Sequence, residues 1–314
     1  MPRFAFTVEC PPCFAFRTTV FSHGWVDLEP FVWDEGAETL HAAIDLGGKG
    51  LAVTVREADG DGARLEVTAT TKNWSKSREK QAALAIGRMF GFAIRLDEFF
   101  AAAGKEYEWA RTIGAGRMLR AATPYEDAVK TLTTTNCSWA LTKLMVSRLV
   151  EALGEELENG RRAFPTAAAM ATRREAFYRD KIKAGYRAPF LVALAKGVAR
   201  GQTDPAGWES WPEGDPTLGN ELRKLAGFGP YAAESMCRLL GRYDGLALDS
   251  WCRASFVKRY GEVDRKQLDA AIARRYETHG RFRGLALWLD LTREWHETGN
   301  FGDTKFRPVE APSP

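Results

Sequence analysis

The sequence contains no long apolar run and few cysteines. None of its apolar stretches is long enough to cross a lipid bilayer, and we expect no secretory signal at its start. Cysteine occurs only five times in 314 residues, and an odd number favours free thiols in a reducing compartment over a disulfide framework. The sequence therefore predicts a cytoplasmic protein without a membrane partner.

A metal-binding cysteine cluster and a strong overall charge are also missing. Cys10 and Cys13 form a lone C-x-x-C pair with neither a second pair nor a histidine pair nearby, so we expect no zinc site. The 44 basic residues nearly balance the 41 acidic ones. The excess is local: residues 161–200 hold ten basic against two acidic residues, and residues 221–283 hold thirteen against eight. Such blocks are typical of solvated helix faces or of a surface that binds nucleic acid.

Secondary-structure patterns divide the chain in two. The first 72 residues contain stretches that alternate or are rich in β-branched and aromatic residues, as in strands: 4–8, 14–20, 39–46, 51–57 and 64–71. Asp59–Gly62 is a plausible hairpin turn between the last two. Helical periodicity dominates from Trp74 onward. We predict the α+β class, with an antiparallel sheet domain and a flanking helix in residues 1–95 and a mainly helical body in residues 96–314.

The most informative stretch is residues 222–253. A helical pattern ends at Ala226 and is followed by Gly227-Phe228-Gly229, in which glycines permit positive φ angles and close approach of the backbone. Pro230 then opens a helix of small residues, because proline favours the first helical position. Asp249 precedes a further helix.

This pattern predicts an anion site beside an acid. Backbone N–H groups of Gly229, Tyr231 and Ala232 would point out of the start of a helix, where the dipole is positive and phosphate binds. Asp249 has two interpretations: it caps the next helix, which aspartate does well, or it carries chemistry. The two are compatible, since a cap fixes the position of the side chain.

The stretch resembles the helix-hairpin-helix and Gly/Pro-Asp motif of base-excision DNA glycosylases. In that family the hairpin holds a DNA phosphate and the aspartate is catalytic, so the resemblance assigns these roles to residues 227–232 and to Asp249. It also implies a two-lobed helical body and one sodium or potassium ion bound by the backbone carbonyls of Arg223, Leu225 and Phe228. No cysteine follows Cys252, so the iron–sulfur cluster of some relatives is not expected, and no other cofactor is required.

Two shorter segments resemble the DNA-contacting loops of the same family. Asn136 corresponds to the asparagine that fills the space left by the flipped nucleotide, although it could simply belong to a helix cap. Gly185-Tyr186-Arg187-Ala188 is similar to the wedge loop, which implies that Tyr186 intercalates and Arg187 probes the estranged base. Leu141 stands where the 8-oxoguanine enzymes have the arginine that reads the opposite base, which argues against strict cytosine recognition.

Tyr231 indicates which kind of glycosylase to expect. Bifunctional members of the family have a lysine here that attacks the sugar and later breaks the strand. A tyrosine cannot form a Schiff base. We therefore expect a monofunctional enzyme that leaves an intact abasic site.

The base pocket is predicted from the last long helix. In the 8-oxoguanine enzymes a glutamine there grips the base and an aromatic residue one turn later stacks on it; the corresponding residues are Gly284 and Trp288. Trp288 would favour a cationic base such as an alkylated purine, although core packing is an equal alternative. Trp25 is a second pocket candidate, for which core packing is the simpler interpretation.

The sequence thus predicts a glycosylase for alkylated purines, with oxidised or deaminated bases as the alternative substrates. Its partner would be double-stranded DNA containing a damaged base, bound by a monomer associated with the nucleoid. A third interpretation is a helix-hairpin-helix protein that binds DNA without chemistry. Asp249 argues against it, because a carboxylate beside phosphates repels them unless it has another use.

Overall fold

The computed structural model describes residues 1–58, 63–212, 214–298, 300–301 and 304–305. The chain forms two compact units. The first comprises residues 1–93 and 117–209, and the second comprises residues 94–116 and 210–314. The predicted domain boundary after residue 95 lies close to the first crossing between these units, but each unit is built from two separate parts of the chain.

The strands of the first unit form one five-stranded antiparallel sheet. They are β1 Arg3–Glu9, β2 Val32–Asp34, β3 Thr39–Asp45, β4 Gly50–Glu57 and β5 Arg64–Thr70. The order across the sheet is β1-β5-β4-β3-β2. In β5 the apolar side chains at positions 65, 67 and 69 are buried and alternate with more exposed ones, which is the period-two pattern of a half-buried strand.

Fifteen α-helices account for most of the remaining described residues. They are α1 Phe16–Val20, α2 Lys76–Met89, α3 Asp97–Ala103, α4 Glu108–Thr112, α5 Pro124–Thr134, α6 Trp139–Leu153, α7 Ala167–Ala171, α8 Glu175–Asp180, α9 Ala188–Ala199, α10 Pro205–Glu209, α11 Leu218–Arg223, α12 Pro230–Leu239, α13 Ser250–Tyr260, α14 Leu268–Tyr276 and α15 Arg283–Thr298. Short 3₁₀ helices span Gly24–Asp27, Gly104–Tyr107, Gly185–Arg187 and Glu277–Phe282, and two-residue strands pair Asn300–Phe301 with Thr304–Lys305. The predicted α+β class is confirmed.

One predicted strand is wrong. Residues 14–20 were expected to be extended, but Phe16–Val20 forms the helix α1. Its apolar side chains are buried on Phe90 and Trp33, so core packing outweighs the β propensity of the stretch. The three-residue strand β2 was not predicted, and the hairpin turn proposed at residues 59–62 lies outside the described residues.

The second unit has its own apolar core. Most of its members come from α3, α4, α13, α14 and α15, and its largest fully buried side chains are Tyr276 of α14 and Tyr107 of the 3₁₀ helix Gly104–Tyr107. Helix α15 crosses this core and carries buried residues over much of its length. The packing fixes α13 and α15 against each other, and these two helices carry Asp249 and Trp288.

The search for membrane-spanning segments found none: no helix among the described residues combines the length and apolarity needed to cross a bilayer.

Candidate active site

A tight turn joins α11 to α12 in the second unit. Gly227 has φ +86°, a left-handed conformation that glycine adopts without steric cost. The N–H of Phe228 donates to the carbonyl of Leu225 at 3.0 Å, and the Phe228 ring is buried. Gly229, with φ −74°, precedes α12, and a methyl group added there would meet nothing within 4 Å. The space beside Gly229, at the start of α12, is therefore free of other protein atoms.

Ion pairs brace this turn. Arg223 pairs with Glu234 at 2.9 Å, and Lys224 pairs with Glu221 at 2.5 Å. The Glu234 carboxylate lies directly against Gly245, where any Cβ would overlap it. The Arg223–Glu234 pair links the end of α11 to α12, whereas the Lys224–Glu221 pair is local to the end of α11.

Asp249 is the N-cap of α13. Its Oδ1 accepts a hydrogen bond from the N–H of Cys252 at 2.7 Å, and the residue is half-buried. Its Oδ2 accepts no hydrogen bond from any residue that the structure describes. Burial, and next the charge of Asp249, raise the pKa of the Cys252 thiol to about 12, so that thiol stays protonated. The cap thus holds the carboxylate in place through Oδ1.

Three tryptophans and one arginine lie near the start of α13. Trp251 contacts Trp288 and Trp295, with ring centroids 5.8 and 4.8 Å away. The Cζ atom of Arg238, on α12, is 4.0 Å from the Trp288 centroid. Trp288 was predicted as a stacking platform; the sequence analysis missed Arg238, Trp251 and Trp295. The i, i+7 spacing of Tyr231 and Arg238 on one helix face was the only signal in the sequence.

Gly284 lies against the backbone of the preceding loop. Its N–H donates to the carbonyl of Tyr243 at 2.8 Å, and a Cβ would overlap the carbonyl oxygen of Gly245. A glutamine at position 284 would therefore clash with main-chain atoms. The sequence analysis noted that Gly284 stands where the 8-oxoguanine enzymes have a glutamine that grips the base. This overlap gives a steric reason for the absence of a glutamine here.

The predicted wedge residues meet within the first unit. Tyr186 is 47% exposed, and its hydroxyl accepts a hydrogen bond from the side-chain amide of Asn136 at 3.3 Å. Asn136 is exposed and has φ +44°, which asparagine tolerates better than most residues. The two residues are therefore in contact, and their roles in DNA binding stay predictions.

Arg187 differs from its predicted role. Its side chain is only 3% exposed. The Nε atom donates to the carbonyl of Thr135 at 2.9 Å, Nη2 donates to the same oxygen, and Nη1 donates to the carbonyl of Ala184 at 3.4 Å. Three of the five N–H donors of this buried side chain are thus engaged on the backbone, whereas the predicted role requires a guanidinium that is exposed to DNA. Arg187 instead holds the wedge loop against residue 135.

Trp25 also lies in the core of the first unit. It is 6% exposed, and its Nε1 donates to Asp127 at 2.8 Å. Burial alone would raise the pKa of Asp127, but Arg88 and Arg120, with hydrogen bonds from Ala121 and Trp25, lower it overall. Trp25 is therefore a partner of a buried carboxylate, which is the packing interpretation rather than the pocket one.

The carbonyls expected to hold a cation come from the end of α11 and from the turn. Carbonyls in the last turn of a helix lack intrahelical partners, and Arg223 is the last residue of α11. The carbonyl of Leu225 already accepts the N–H of Phe228 but retains a second lone pair. The cation site on these three carbonyls stays a prediction of the resemblance.

Comparison with known proteins identifies the fold. No protein-family model matches the chain, and no curated protein does. Among solved structures, the 3-methyladenine DNA glycosylase from Archaeoglobus fulgidus is 19% identical, with a TM-score of 0.70 over 92% of this chain and 98% of that one. The Clostridium acetobutylicum 8-oxoguanine glycosylase/lyase, in complex with DNA containing 8-oxoguanine, is 18% identical, with a TM-score of 0.61 over 87% and 92%. At this level of identity the likeness shows the fold: the chain shares the fold of these two solved DNA glycosylases, as the resemblance drawn from the sequence predicted.

Proposed function

We propose that the protein is a monofunctional DNA glycosylase that hydrolyses the N-glycosidic bond of a damaged base in double-stranded DNA. The observation that carries the proposal is Asp249, a half-buried residue whose carboxylate is held at Oδ1 as the N-cap of α13. It follows a glycine turn that presents a helix start. The fold shared with two DNA glycosylases supports the assignment.

The reaction uses Asp249 as an ionised carboxylate. The damaged nucleotide leaves the helix at an unstacking cost of a few kcal/mol. As the bond between C1′ and the base nitrogen breaks, that nitrogen takes the electron pair and the sugar becomes oxocarbenium-like. Oδ2 stabilises the cation and orients a water molecule, whose oxygen bonds to C1′ while its proton passes to the carboxylate or to solvent.

Tyr231 supports the monofunctional assignment. It is half-buried near the start of α12, at the position of the nucleophilic lysine in bifunctional enzymes, and it has no amine. Water must then displace the base, and the product is an abasic site whose strand stays intact until alkali is added.

Each unit would contribute its own contacts to DNA. In the second unit, the start of α12 would receive a backbone phosphate, since Gly229 leaves room for it. In the first unit, Tyr186 would replace lost stacking and Asn136 would fill the space of the extruded nucleotide. A sodium or potassium ion on the carbonyls of Arg223, Leu225 and Phe228 would fix the turn. We propose that the protein acts as a monomer in the cytoplasm, associated with the nucleoid.

The substrate class has two candidates. Alkylated purines follow from Trp288 as a platform for a cationic base. Arg238 favours the second candidate, oxidised or deaminated bases. Its guanidinium lies 4.0 Å from the centroid of the Trp288 ring, so a positive charge already occupies the ring face on which a cationic base would stack. The identity of the base is argued further below.

A panel of duplexes, each with one lesion, tests the function. Free base is measured directly, and strand breaks are measured with and without alkali. We expect base release by the wild type and breaks only after alkali. Strand breaks without alkali would contradict the role given to Tyr231. Binding without base release from any lesion would favour a non-catalytic DNA-binding protein.

A further inference from the structure

Arg238 lies near Asp249, and the proposed reaction assigns it no role. It projects from α12, and its guanidinium lies over Trp288 of α15, 4.0 Å from the ring centroid. Trp251 and Trp295 border the same ring at 5.8 and 5.6 Å. All four side chains are half-buried, so part of the group reaches the surface.

The guanidinium has unused hydrogen-bond donors. Its Nε and Nη1 atoms are buried, and within the described part of the chain neither has a hydrogen-bond partner. No described carboxylate forms a salt bridge with Arg238. Leaving the buried donors of a charged group unpaired is unfavourable. Burial lowers the pKa of Arg238, and Asp249 is among the groups that counteract this effect. Such a side chain is suited to receive an acceptor from outside the protein.

The chemistry of the guanidinium restricts the acceptor. Arginine is a permanent cation with donors only, so it pairs with a carbonyl oxygen and repels both an amino group and a second cation. Adenine and cytosine have an amino group where their deaminated products have a carbonyl oxygen. A cationic alkylpurine would bring a second positive charge to the ring that Arg238 already covers.

We infer that Arg238 is a specificity-determining residue that selects a neutral, carbonyl-bearing base of the deaminated class over a cationic alkylated purine. This inference rests on the glycosylase function proposed above. Trp288 then acts as the support that orients the guanidinium, and its ring contact sets the plane in which the donors meet the base.

The test compares single-turnover base release from duplexes containing hypoxanthine or 7-methylguanine. Both bases have a carbonyl at C6, but 7-methylguanine is cationic and also carries a 2-amino group and an N7 methyl group. The change in the ratio of the two rates when Arg238 is replaced therefore reports its effect on selectivity between them. An undamaged adenine duplex reports the effect of the amino group. The proteins are wild type, Arg238→Met and Arg238→Lys, with Arg274→Met as the control, because Arg274 is exposed on α14. Thermal melting verifies that each variant is folded.

We expect wild type to release hypoxanthine faster than 7-methylguanine and to leave adenine intact. Arg238→Met should slow hypoxanthine release about tenfold or more, without slowing 7-methylguanine release. Arg238→Lys should fall between, since it keeps the charge but loses the planar donors. Arg274→Met should match wild type.

Three results would overturn the inference. One is a wild-type preference for 7-methylguanine. Another is an unchanged ratio of the two rates in folded Arg238→Met, which would make Arg238 a packing residue. If Arg238→Met fails to fold, an unchanged ratio of hypoxanthine to 7-methylguanine release rates in Arg238→Lys would overturn the inference instead. Absence of base release from every lesion in the wider panel would instead refute the glycosylase function, and the inference with it.

Discussion

A single carboxylate at Asp249 serves as a helix cap and as the proposed catalytic group, and substitutions can separate the two. Asparagine caps helices as well as aspartate does, whereas alanine does not. We expect Asp249→Asn to melt like wild type and to lose base release by about 10²-fold or more, because the stabilising charge is gone.

Asp249→Ala provides the matched comparison. It should lose the same activity and also about 1 kcal/mol of stability, since the N–H of Cys252 loses its acceptor. Thermal melting and free-base measurement on the same preparations check both values. Wild-type rates from Asp249→Asn would remove the carboxylate from the mechanism.

Gly284 shows how neighbouring backbone atoms restrict one position to glycine. Its position against the carbonyls of Gly245 and Tyr243 leaves no space for a side chain. We expect Gly284→Ala to lower the free energy of unfolding by about 1–3 kcal/mol, as overpacking does, measured by urea denaturation. An unchanged unfolding midpoint would show that this backbone contact is loose.

At the scale of elements, the turn between α11 and α12 contains two glycines, and a side chain would have a different effect at each of them. Gly227 has a positive φ that costs any other residue strain, so Gly227→Ala should destabilise the protein by about 1 kcal/mol. Gly229 has φ −74° and open space around it. Gly229→Ala should therefore keep wild-type stability.

The same Gly229→Ala substitution should weaken DNA binding, because a methyl group would stand where a phosphate approaches the start of α12. Fluorescence anisotropy with a lesion-containing duplex measures the affinity. Binding equal to wild type by a folded Gly229→Ala protein would place the phosphate elsewhere.

Helices and strands were predicted correctly where the local sequence pattern and the packing in the fold favour the same secondary structure. Strands β1, β3, β4 and β5 and the helices flanking the glycine turn were predicted because alternation, glycine and proline act locally. Residues 14–20 were predicted wrongly, because aromatic and β-branched residues fit a buried helix when Phe16 can pack on Phe90.

The candidate site was predictable only where a motif contained it. Asp249, Asn136 and Tyr186 lie in patterned segments. Arg238 also lies in such a segment, on α12, but its contact with Trp288 joins residues fifty positions apart, and the local pattern does not predict that contact. The burial of Arg187 depends in the same way on the backbone of residue 135, which the sequence could not reveal.

At the scale of the whole molecule, His296 gives the stability a defined pH dependence. Burial in the second unit lowers the pKa of His296 from 6.5 to about 4, and the residue is 3% exposed. Between these values the unfolded chain binds a proton that the folded chain does not, so stability falls as the pH decreases from about 6.5 to about 4. The loss attributable to this residue is about 3 kcal/mol at most.

His296→Phe should remove this part of the pH dependence. Urea denaturation at pH 7 and pH 5 measures the difference in unfolding free energy for wild type and variant. We expect a smaller difference in the variant, because its side chain does not titrate. An equal pH dependence in both proteins would show that His296 titrates normally or that other groups dominate.

The charge distribution predicts how DNA binding responds to salt. Net charge is only +3, so affinity must arise from local contacts, and each neutralised phosphate adds about 0.9 to the slope of log K against log salt concentration. Lys183 is exposed three residues before Tyr186, within the most basic block of the sequence. If it meets a phosphate beside the wedge, Lys183→Ala should weaken binding to all duplexes alike and reduce the slope by about one. Lys80→Ala, which removes an equally exposed lysine from α2, should leave the slope unchanged. A wild-type affinity that does not vary with salt would refute the phosphate contacts on which the proposed mode of binding depends.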